Sequence, residues 1–176
     1  MKVAAVQLTS TGNITENQEL ALAKIREAAG NGARLIVLPE ATAQNFRSGR
    51  LDEQAQTLEG PFATAIQALA EELEVTVVAG MFCPADTVER EGKTINRVTN
   101  TALIAGPGVL GGYDKIHTYD AFDYRESDTV LAGESLVAFD VDDLIVGVAT
   151  CYDIRFPEQF KELASQGAQL IVVPTS

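Results

Sequence analysis

The sequence is poor in the residues that several common reactive sites require. Its 176 residues include one histidine, His117, and two cysteines, Cys83 and Cys151. A single histidine cannot supply a His-rich zinc site and argues against a Ser-His-Asp arrangement. Two cysteines without metal-ligand spacing are too few for a disulfide scaffold, and a reducing compartment keeps them as thiols. Nucleophilic chemistry in this chain therefore has to depend on a different set of residues.

Basic residues and long apolar runs are also scarce. The chain has 13 Lys and Arg against 25 Asp and Glu, a formal net charge of -12 at pH 7. Such a charge repels a phosphate backbone, so nucleic acid is not an expected partner. Apolar runs such as "LIVVP" are far shorter than the roughly 20 residues of a membrane helix, and the N-terminal segment becomes polar too early for a signal peptide. These features predict a cytoplasmic protein without a membrane partner.

The rest of the composition predicts one folded domain of the α/β class. A hydrophobic content of 46% and a charged content of 22% are ordinary for a globular protein of this length. Apolar periodicity predicts helices over about 16–29 and from Pro61 onward, and buried strands over 3–8, 34–40 and 75–82. Two hairpins are predicted as well, with their turns at 106–108 and 142–143.

Two segments of the chain resemble each other. "KIREAAGNGARLIVLPE" from Lys24 and "KELASQGAQLIVVPTS" from Lys161 both combine a helix, a glycine and a strand of the form L-I-V-x-P. Either the two segments follow the same α/β pattern by chance, or the fold is pseudo-symmetric and equivalent units lie side by side in the sheet. Both interpretations predict a layered α/β domain with mixed strand pairing.

Three predicted strands end in side chains that can do chemistry. Cys151 follows "LIVGVAT" at a strand-to-helix turn, Glu40 closes "RLIVLP", and Lys115 follows "VLGGYD". Taken singly, each has an ordinary explanation as an inert thiol, a solvated carboxylate or an exposed ammonium group. In α/β sheets, however, sites assemble at strand ends, and a thiol, a carboxylate and an ammonium group form a plausible set for acyl transfer.

The sequences around these three residues resemble the catalytic motifs of a known family. "LIVLPE", "YDKIH" and "GVATCYDIRFPE" resemble, in order and wording, those of the nitrilase superfamily of carbon–nitrogen hydrolases. The "CYDIRFPE" segment is most similar to the amidase branch that includes omega-amidases and deaminated-glutathione amidases. The resemblance implies a four-layer α-β-β-α sandwich. Because members are longer, it also implies that residues 1–176 are the N-terminal two-thirds of a single domain, incomplete at its C-terminus.

The resemblance implies roles for particular residues. Cys151 corresponds to the nucleophile, Glu40 to the general base and Lys115 to the residue that stabilises the tetrahedral oxyanion, together with the backbone N–H of Tyr152. The family needs no metal or organic cofactor, so none is expected here. Its members form oligomers, which implies at least a homodimer.

The remaining assignments are less direct. A second glutamate of the family lies after the lysine motif, and Glu126 matches it best, with Glu134 as the weaker alternative. Arg155 and Tyr119 are candidates for binding the substrate. For Arg155 the competing interpretation is an ion pair with a neighbouring acidic residue, Asp153 or Glu158.

The expected function is hydrolysis of the amide C–N bond of a small, carboxylate-bearing substrate through a cysteine thioester, with release of ammonia. Two alternatives remain open on the sequence alone. One is an N-carbamoyl amino-acid hydrolase, and the other is a truncated, inactive binding or oligomerisation module. Full retention of the cysteine, lysine and glutamate favours an enzyme.

Overall fold

The described part of the chain folds into three α-helices and eleven strands. The structure, a computed structural model, describes residues 1–122 and 124–176. None of the helices in these residues is both long and apolar enough to cross a membrane. The helices are α1 (Ile14–Gly30), α2 (Pro61–Glu72) and α3 (Pro157–Ser165). The strands are β1 (Val3–Ala5), β2 (Leu35–Val37), β3 (Thr76–Arg90), β4 (Lys93–Gly106), β5 (Val109–Asp114), β6 (Asp120–Ala121), β7 (Tyr124–Arg125), β8 (Val130–Leu131), β9 (Val137–Val141), β10 (Leu144–Val148) and β11 (Leu170–Val172).

Two sheets carry the fold. The larger has the strand order β1-β2-β3-β4-β5, with β8 paired to β4, and the smaller has the order β11-β10-β9. Strands β1, β2 and β3 run parallel, whereas β4 is antiparallel to both β3 and β5. In the smaller sheet β10 is parallel to β11 and antiparallel to β9. A short hairpin of β6 and β7 stands apart from both sheets.

The sheets and helices stack in four layers. Helices α1 and α2 pack on one face of the larger sheet, where Ile25, Ile36 and Phe62 belong to one buried cluster. The opposite face packs on the smaller sheet, and this second cluster includes Tyr113 and Val148. Helix α3 covers the outer face of the smaller sheet through Leu163, which is buried against Gly147 of β10. The predicted α-β-β-α architecture is therefore confirmed.

The two similar segments lie in different sheets. The first gives α1 and β2, and β2 pairs parallel to β1 in the larger sheet. The second gives α3 and β11, and β11 pairs parallel to β10 in the smaller sheet. The expectation that equivalent units lie side by side in one sheet is wrong. Each unit instead forms its own strand-helix-strand element, and the two elements face each other across the sandwich.

The longest strands extend beyond their predicted ends. The hairpin of β3 and β4 turns at Glu91 and Gly92, both of which have positive φ, so its polar arms project past the core. Those arms are mostly exposed and carry no apolar run, which is why the sequence pattern shows only their buried halves. The helix starting at Pro61 and both predicted hairpins, at 106–108 and 142–143, are present.

Gly80 of β3 holds the segment after β2 close to the sheet. Its N–H donates to the carbonyl of Pro39 at 3.0 Å, and its carbonyl accepts from the N–H of Ala43 at 3.0 Å. A Cβ atom at Gly80 would lie 1.6 Å from the carbonyl oxygen of Glu40. The backbone of Glu40 can therefore approach β3 only because residue 80 has no side chain.

We expect Gly80→Ala to destabilise the protein by about 3 kcal/mol, because the new methyl group forces apart backbone that cannot move cheaply. Urea unfolding followed by circular dichroism measures the change. Gly111→Ala on β5 is the matched control, since a Cβ atom there meets nothing within 4 Å. Equal stability of the two variants would show that the approach of Glu40 to β3 is not tightly constrained.

Candidate active site

A buried ammonium group lies between two buried carboxylates at the edge of the larger sheet. Lys115 Nζ is 3.0 Å from Glu40 Oε1 and 2.9 Å from Glu126 Oε2, and the three side chains are each 2% exposed. Glu40 follows β2 and Lys115 follows β5. These strands run in the same direction, because β5 is antiparallel to β4, which is antiparallel to β3. The predicted meeting of strand ends therefore occurs for Glu40 and Lys115.

The charges of this cluster are strongly coupled. Burial by itself lowers the pKa of Lys115, but the negative charges of Glu40 and Glu126 outweigh it and raise that pKa. Lys115 is therefore cationic at neutral pH and forms an ion pair with each of the two carboxylates. Within the described residues, no group of three His, Cys, Asp or Glu side chains is arranged to hold a metal ion.

Asn100 on β4 also contacts both carboxylates, and the sequence analysis did not identify it. Its Nδ2 donates to Glu40 Oε1 at 2.9 Å and to Glu126 Oε1 at 3.0 Å. Its backbone carbonyl accepts from the N–H of Lys115 at 2.9 Å. Asn100 thus links the three charged residues from one position. The signal in the sequence is a polar residue at the start of "NTALIAG", a run that is otherwise apolar.

Glu126 is held by the segment that follows Lys115. It begins a short 3-10 turn, and its N–H donates to the carbonyl of Tyr119 at 3.1 Å. In return the N–H of Tyr119 donates to Glu126 Oε2 at 2.6 Å. Glu134 is exposed and takes no part in the cluster. The structure therefore brings Glu126, and not Glu134, to Lys115.

Cys151 lies on a strained turn between β10 and α3. It has φ +46°, a left-handed conformation that is uncommon for a residue with a Cβ atom, and it begins a 3-10 turn that ends at Arg155. The N–H of Cys151 donates to the carbonyl of Pro174 at 2.9 Å, after β11. This sharp turn directs the thiol toward Glu40 and Lys115, which both influence its ionisation.

The thiol of Cys151 is less acidic than an ordinary cysteine. Burial raises its pKa to about 11, and the Glu40 carboxylate adds to the increase through its charge and a hydrogen bond. Lys115 and the backbone N–H of Ser176 act in the opposite direction but do not compensate. A cysteine that is to react as a nucleophile needs a basic or cationic neighbour, and Glu40 and Lys115 are groups of these two kinds. The resting form of Cys151 at neutral pH is the protonated thiol.

Asp153 is a second residue whose position the sequence did not reveal. It is 0% exposed and accepts four hydrogen bonds. Its Oδ2 accepts from the hydroxyl of Tyr113 at 2.6 Å and from the N–H of Thr150 at 2.8 Å. Its Oδ1 accepts from the backbone N–H of His117 at 3.0 Å and from His117 Nδ1 at 2.8 Å. Because a carboxylate only accepts, Nδ1 is the protonated nitrogen of the imidazole.

The interpretation of Arg155 as an ion-pair partner of Asp153 or Glu158 is wrong. All four acceptor positions of the Asp153 carboxylate are taken by hydrogen bonds from Tyr113, Thr150 and His117. Arg155 is exposed and forms no ion pair with the residues that the structure describes. The guanidinium group is therefore open to solvent at the edge of the cysteine turn.

Aromatic rings surround the same turn. Tyr119 packs edge-on against Tyr152 with ring centroids 5.0 Å apart, and Tyr152 packs edge-on against Phe156 at 5.6 Å. Phe156 stacks on His117 at 3.6 Å. The candidate substrate residue Tyr119 thus lies beside the cysteine turn and also bonds Glu126 through its backbone.

Cys83 lies apart from this cluster. The strand predicted over 75–82 would end just before Cys83, but β3 continues to Arg90, so Cys83 lies within the strand and is partly buried. Burial raises the pKa of its thiol. Its side chain lines a cleft of about 350 Å³ with Thr99, Thr101 and Asp114.

The described residues thus form a four-layer α-β-β-α sandwich in which a cysteine lies near a buried cluster of two carboxylates and a lysine. The family model of carbon-nitrogen hydrolases matches residues 2–176. The chain belongs to the carbon–nitrogen hydrolase family, which confirms the resemblance to the nitrilase superfamily and its amidase branch.

Relatives are found by sequence and by structure. A hydrolase of Mycobacterium tuberculosis is 42% identical, covering 100% of this chain and 61% of its own length. A deaminated glutathione amidase of Synechocystis is 36% identical, covering 98% of this chain and 65% of its own length. A solved amidase structure from Nesterenkonia, 22% identical, superposes with a TM-score of 0.81 over 99% of this chain and 64% of its own. The chain thus spans less than two-thirds of these relatives.

We expect Lys115→Met to destabilise the protein by roughly 3–5 kcal/mol, because it leaves two buried carboxylates without their cation. Urea unfolding at pH 7 measures the loss. Lys24→Met is the control, since Lys24 and Glu27 form an exposed pair at 2.8 Å that contributes about 0.5 kcal/mol or less. A loss for Lys115→Met as small as that of the control would mean that the cluster is not a stabilising element.

Proposed function

We propose that this chain carries the reactive centre of an amidase that hydrolyses the C–N bond of a small, carboxylate-bearing amide and releases ammonia. One observation carries the proposal: a cysteine on a strained turn faces a buried cluster of Glu40, Lys115 and Glu126. A base, a cation and a nucleophile are the groups that acyl transfer through a cysteine requires. Family membership supports the same reaction class.

Glu40 acts as the general base for Cys151. With a pKa of about 11, the thiol is ionised to only about one part in ten thousand at pH 7. A preformed thiolate is therefore not the attacking species, and the proton has to leave as the bond to the substrate forms. Glu40 is the carboxylate whose charge acts most strongly on this thiol. Transfer of the proton from Cys151 to Glu40 leaves the net charge of the buried cluster unchanged.

Lys115 and the backbone N–H of Tyr152 stabilise the oxyanion. Two of the three ammonium protons of Lys115 point to carboxylates, which leaves the third for the substrate oxygen. Tyr152 lies in the first turn of the 3-10 segment, where N–H groups have no partner within the helix. A preorganised donor of this kind contributes roughly 3–4 kcal/mol to the transition state.

Turnover takes two steps. The tetrahedral intermediate collapses when the C–N bond breaks and ammonia leaves with the proton held by Glu40, which gives a thioester on Cys151. Glu40 then takes a proton from water as the water attacks the thioester carbonyl. The carboxylic acid product leaves, and the proton returns to the sulfur of Cys151. Glu126 holds Lys115 in place throughout and need not exchange a proton.

Two features support a carboxylate-bearing substrate. Arg155 is exposed beside the cysteine turn and pairs with none of the acidic residues that the structure describes, so its guanidinium can form a bidentate contact with a substrate carboxylate. The Synechocystis relative is named a deaminated glutathione amidase, and that substrate is a small amide with carboxylate groups. Tyr119, next to Tyr152, is placed to pack on the substrate. The homo-oligomer that the family resemblance implies stays a prediction.

Ammonia release from a panel of amides tests the proposal. We expect activity on deaminated glutathione or alpha-ketoglutaramate, and we expect Cys151→Ala to abolish it without loss of fold, as judged by circular dichroism. Cys83→Ala is the matched control and retains activity, because Cys83 lies outside the cluster. Activity only on carbamoyl amino acids would identify the alternative hydrolase, and no activity on any substrate would contradict the proposal.

We expect Glu40→Gln to make the thiol of Cys151 more acidic but to abolish catalysis. Removing the carboxylate charge that raises the pKa of Cys151 should lower this pKa from about 11, whereas loss of the base should abolish ammonia release. The rate of alkylation by iodoacetamide at different pH values, read at the Cys151 peptide by mass spectrometry, measures the pKa. Glu19→Gln, at an exposed position of α1, serves as the control. An unchanged pKa in Glu40→Gln would place Glu40 too far from the sulfur to act as its base.

A further inference from the structure

A single buried carboxylate joins the two halves of the site. Asp153 bonds the N–H of Thr150 on the cysteine turn, which follows β10 of the smaller sheet. The same carboxylate accepts hydrogen bonds from Tyr113 of β5 and from His117. These residues lie two positions before and two positions after Lys115 in the chain. The cysteine and the lysine thus come from different sheets, and Asp153 bonds the segments of both.

The four donors match the four acceptor positions of one carboxylate. Burying a carboxylate is costly unless hydrogen bonds replace its water, and here two N–H groups of the backbone, a phenol and an imidazole do so. The phenol of Tyr113 is itself fixed, because it accepts from Gln159 Nε2 at 2.7 Å and from the N–H of Ile116 at 3.2 Å. Burial first, and then the hydrogen bond and charge of Asp153, raise the pKa of Tyr113. The phenol therefore stays a donor at every ordinary pH.

The turn that Asp153 closes is the strained one. Cys151 has φ +46°, and such a conformation is unfavourable in a residue with a side chain, so it persists only where its surroundings impose it. The N–H of Asp153 donates to the carbonyl of Thr150 at 3.0 Å, while its carboxylate receives the N–H of the same residue. Asp153 thus clamps the turn on the side that faces the lysine segment.

We propose that Asp153 is a positioning residue, which holds the strained Cys151 turn against the Lys115 segment through Tyr113 and His117. It does not face the reacting atoms, since all its acceptor positions are taken by protein donors. The inference rests on the proposed function for its catalytic consequence. The position of the thiol, however, can be measured whether or not the amidase proposal holds.

Asp153→Asn tests this inference with little change in volume. An amide at this position cannot accept all four hydrogen bonds, so the turn relaxes and the thiol moves away from the buried position near the Glu40 charge that raises its pKa. We expect the pKa of Cys151 to fall by about one unit, which corresponds to about 1.4 kcal/mol and increases the thiolate at pH 8 nearly tenfold. Alkylation at pH 8 becomes faster, whereas kcat for amide hydrolysis falls at least tenfold with little change in KM.

His117 variants separate positioning from a simple effect of charge. His117→Leu removes one donor and leaves the charge of Asp153 less compensated, so an effect of charge alone raises the pKa of Cys151. Loss of positioning lowers it, as in Asp153→Asn. His117→Asn keeps an N–H donor at the position of Nδ1. We expect its Cys151 pKa to match that of the wild-type protein, which would show that the hydrogen bond to Asp153, and not the imidazole ring, positions the turn.

Cys83 is the internal control, since it lies outside the network and is read in the same alkylation experiment. Its titration stays unchanged if the variants act locally, and it shifts together with Cys151 if they only loosen the whole fold. Should Asp153→Asn fail to fold, Tyr113→Phe removes one donor and is expected to lower the pKa of Cys151 by about half a unit. An unchanged Cys151 titration in the folded variants, or shifts of opposite sign in Asp153→Asn and His117→Leu, overturns the inference.

Discussion

The structure of the site depends on one buried ion cluster. Lys115 is shared by Glu40 and Glu126, so the cluster carries one excess negative charge in a region almost closed to water. Loss of Lys115 or of one of its carboxylate partners would leave a buried charge without compensation. Hydrogen bonds from several elements of the fold therefore stabilise these charges. Asn100 supplies two further hydrogen bonds, and the backbone of Tyr119 supplies a third. Because residue 80 is a glycine, the backbone of Glu40 can pack directly against β3.

The excess negative charge determines how the cysteine can react. A thiolate beside it would add a second uncompensated charge, and this is why burial and Glu40 together hold the pKa of Cys151 high. The cluster therefore resists formation of a resting thiolate but permits the transfer of a proton from sulfur to Glu40, which conserves charge. In the reaction that we propose, the same carboxylate keeps the thiol protonated at rest and accepts its proton during attack on the substrate carbonyl.

The sequence predicted the parts of the structure that leave a local pattern. The buried strands, the helix beginning at Pro61 and two hairpins follow from periodicity and turn residues, and the resemblance of three motifs predicted the four layers. The polar arms of β3 and β4 were missed because exposed strands carry no apolar run. The similar segments at Lys24 and Lys161 both form a helix followed by a parallel strand, but local similarity contains no information about which sheet each strand joins.

Only some residues of the candidate site can be predicted from the sequence. Glu40, Lys115 and Cys151 stand at strand ends and belong to recognisable motifs, so their sequence positions identify them. Asn100 and Asp153 matter through contacts with residues 60 and 40 positions away in the chain, a relation that only the folded topology creates. Asp153 looked like a surface partner for Arg155 because both lie in one short segment. The strained turn at Cys151 rotates the carboxylate inward and leaves the guanidinium outside, so a single backbone conformation gives neighbouring charges opposite environments.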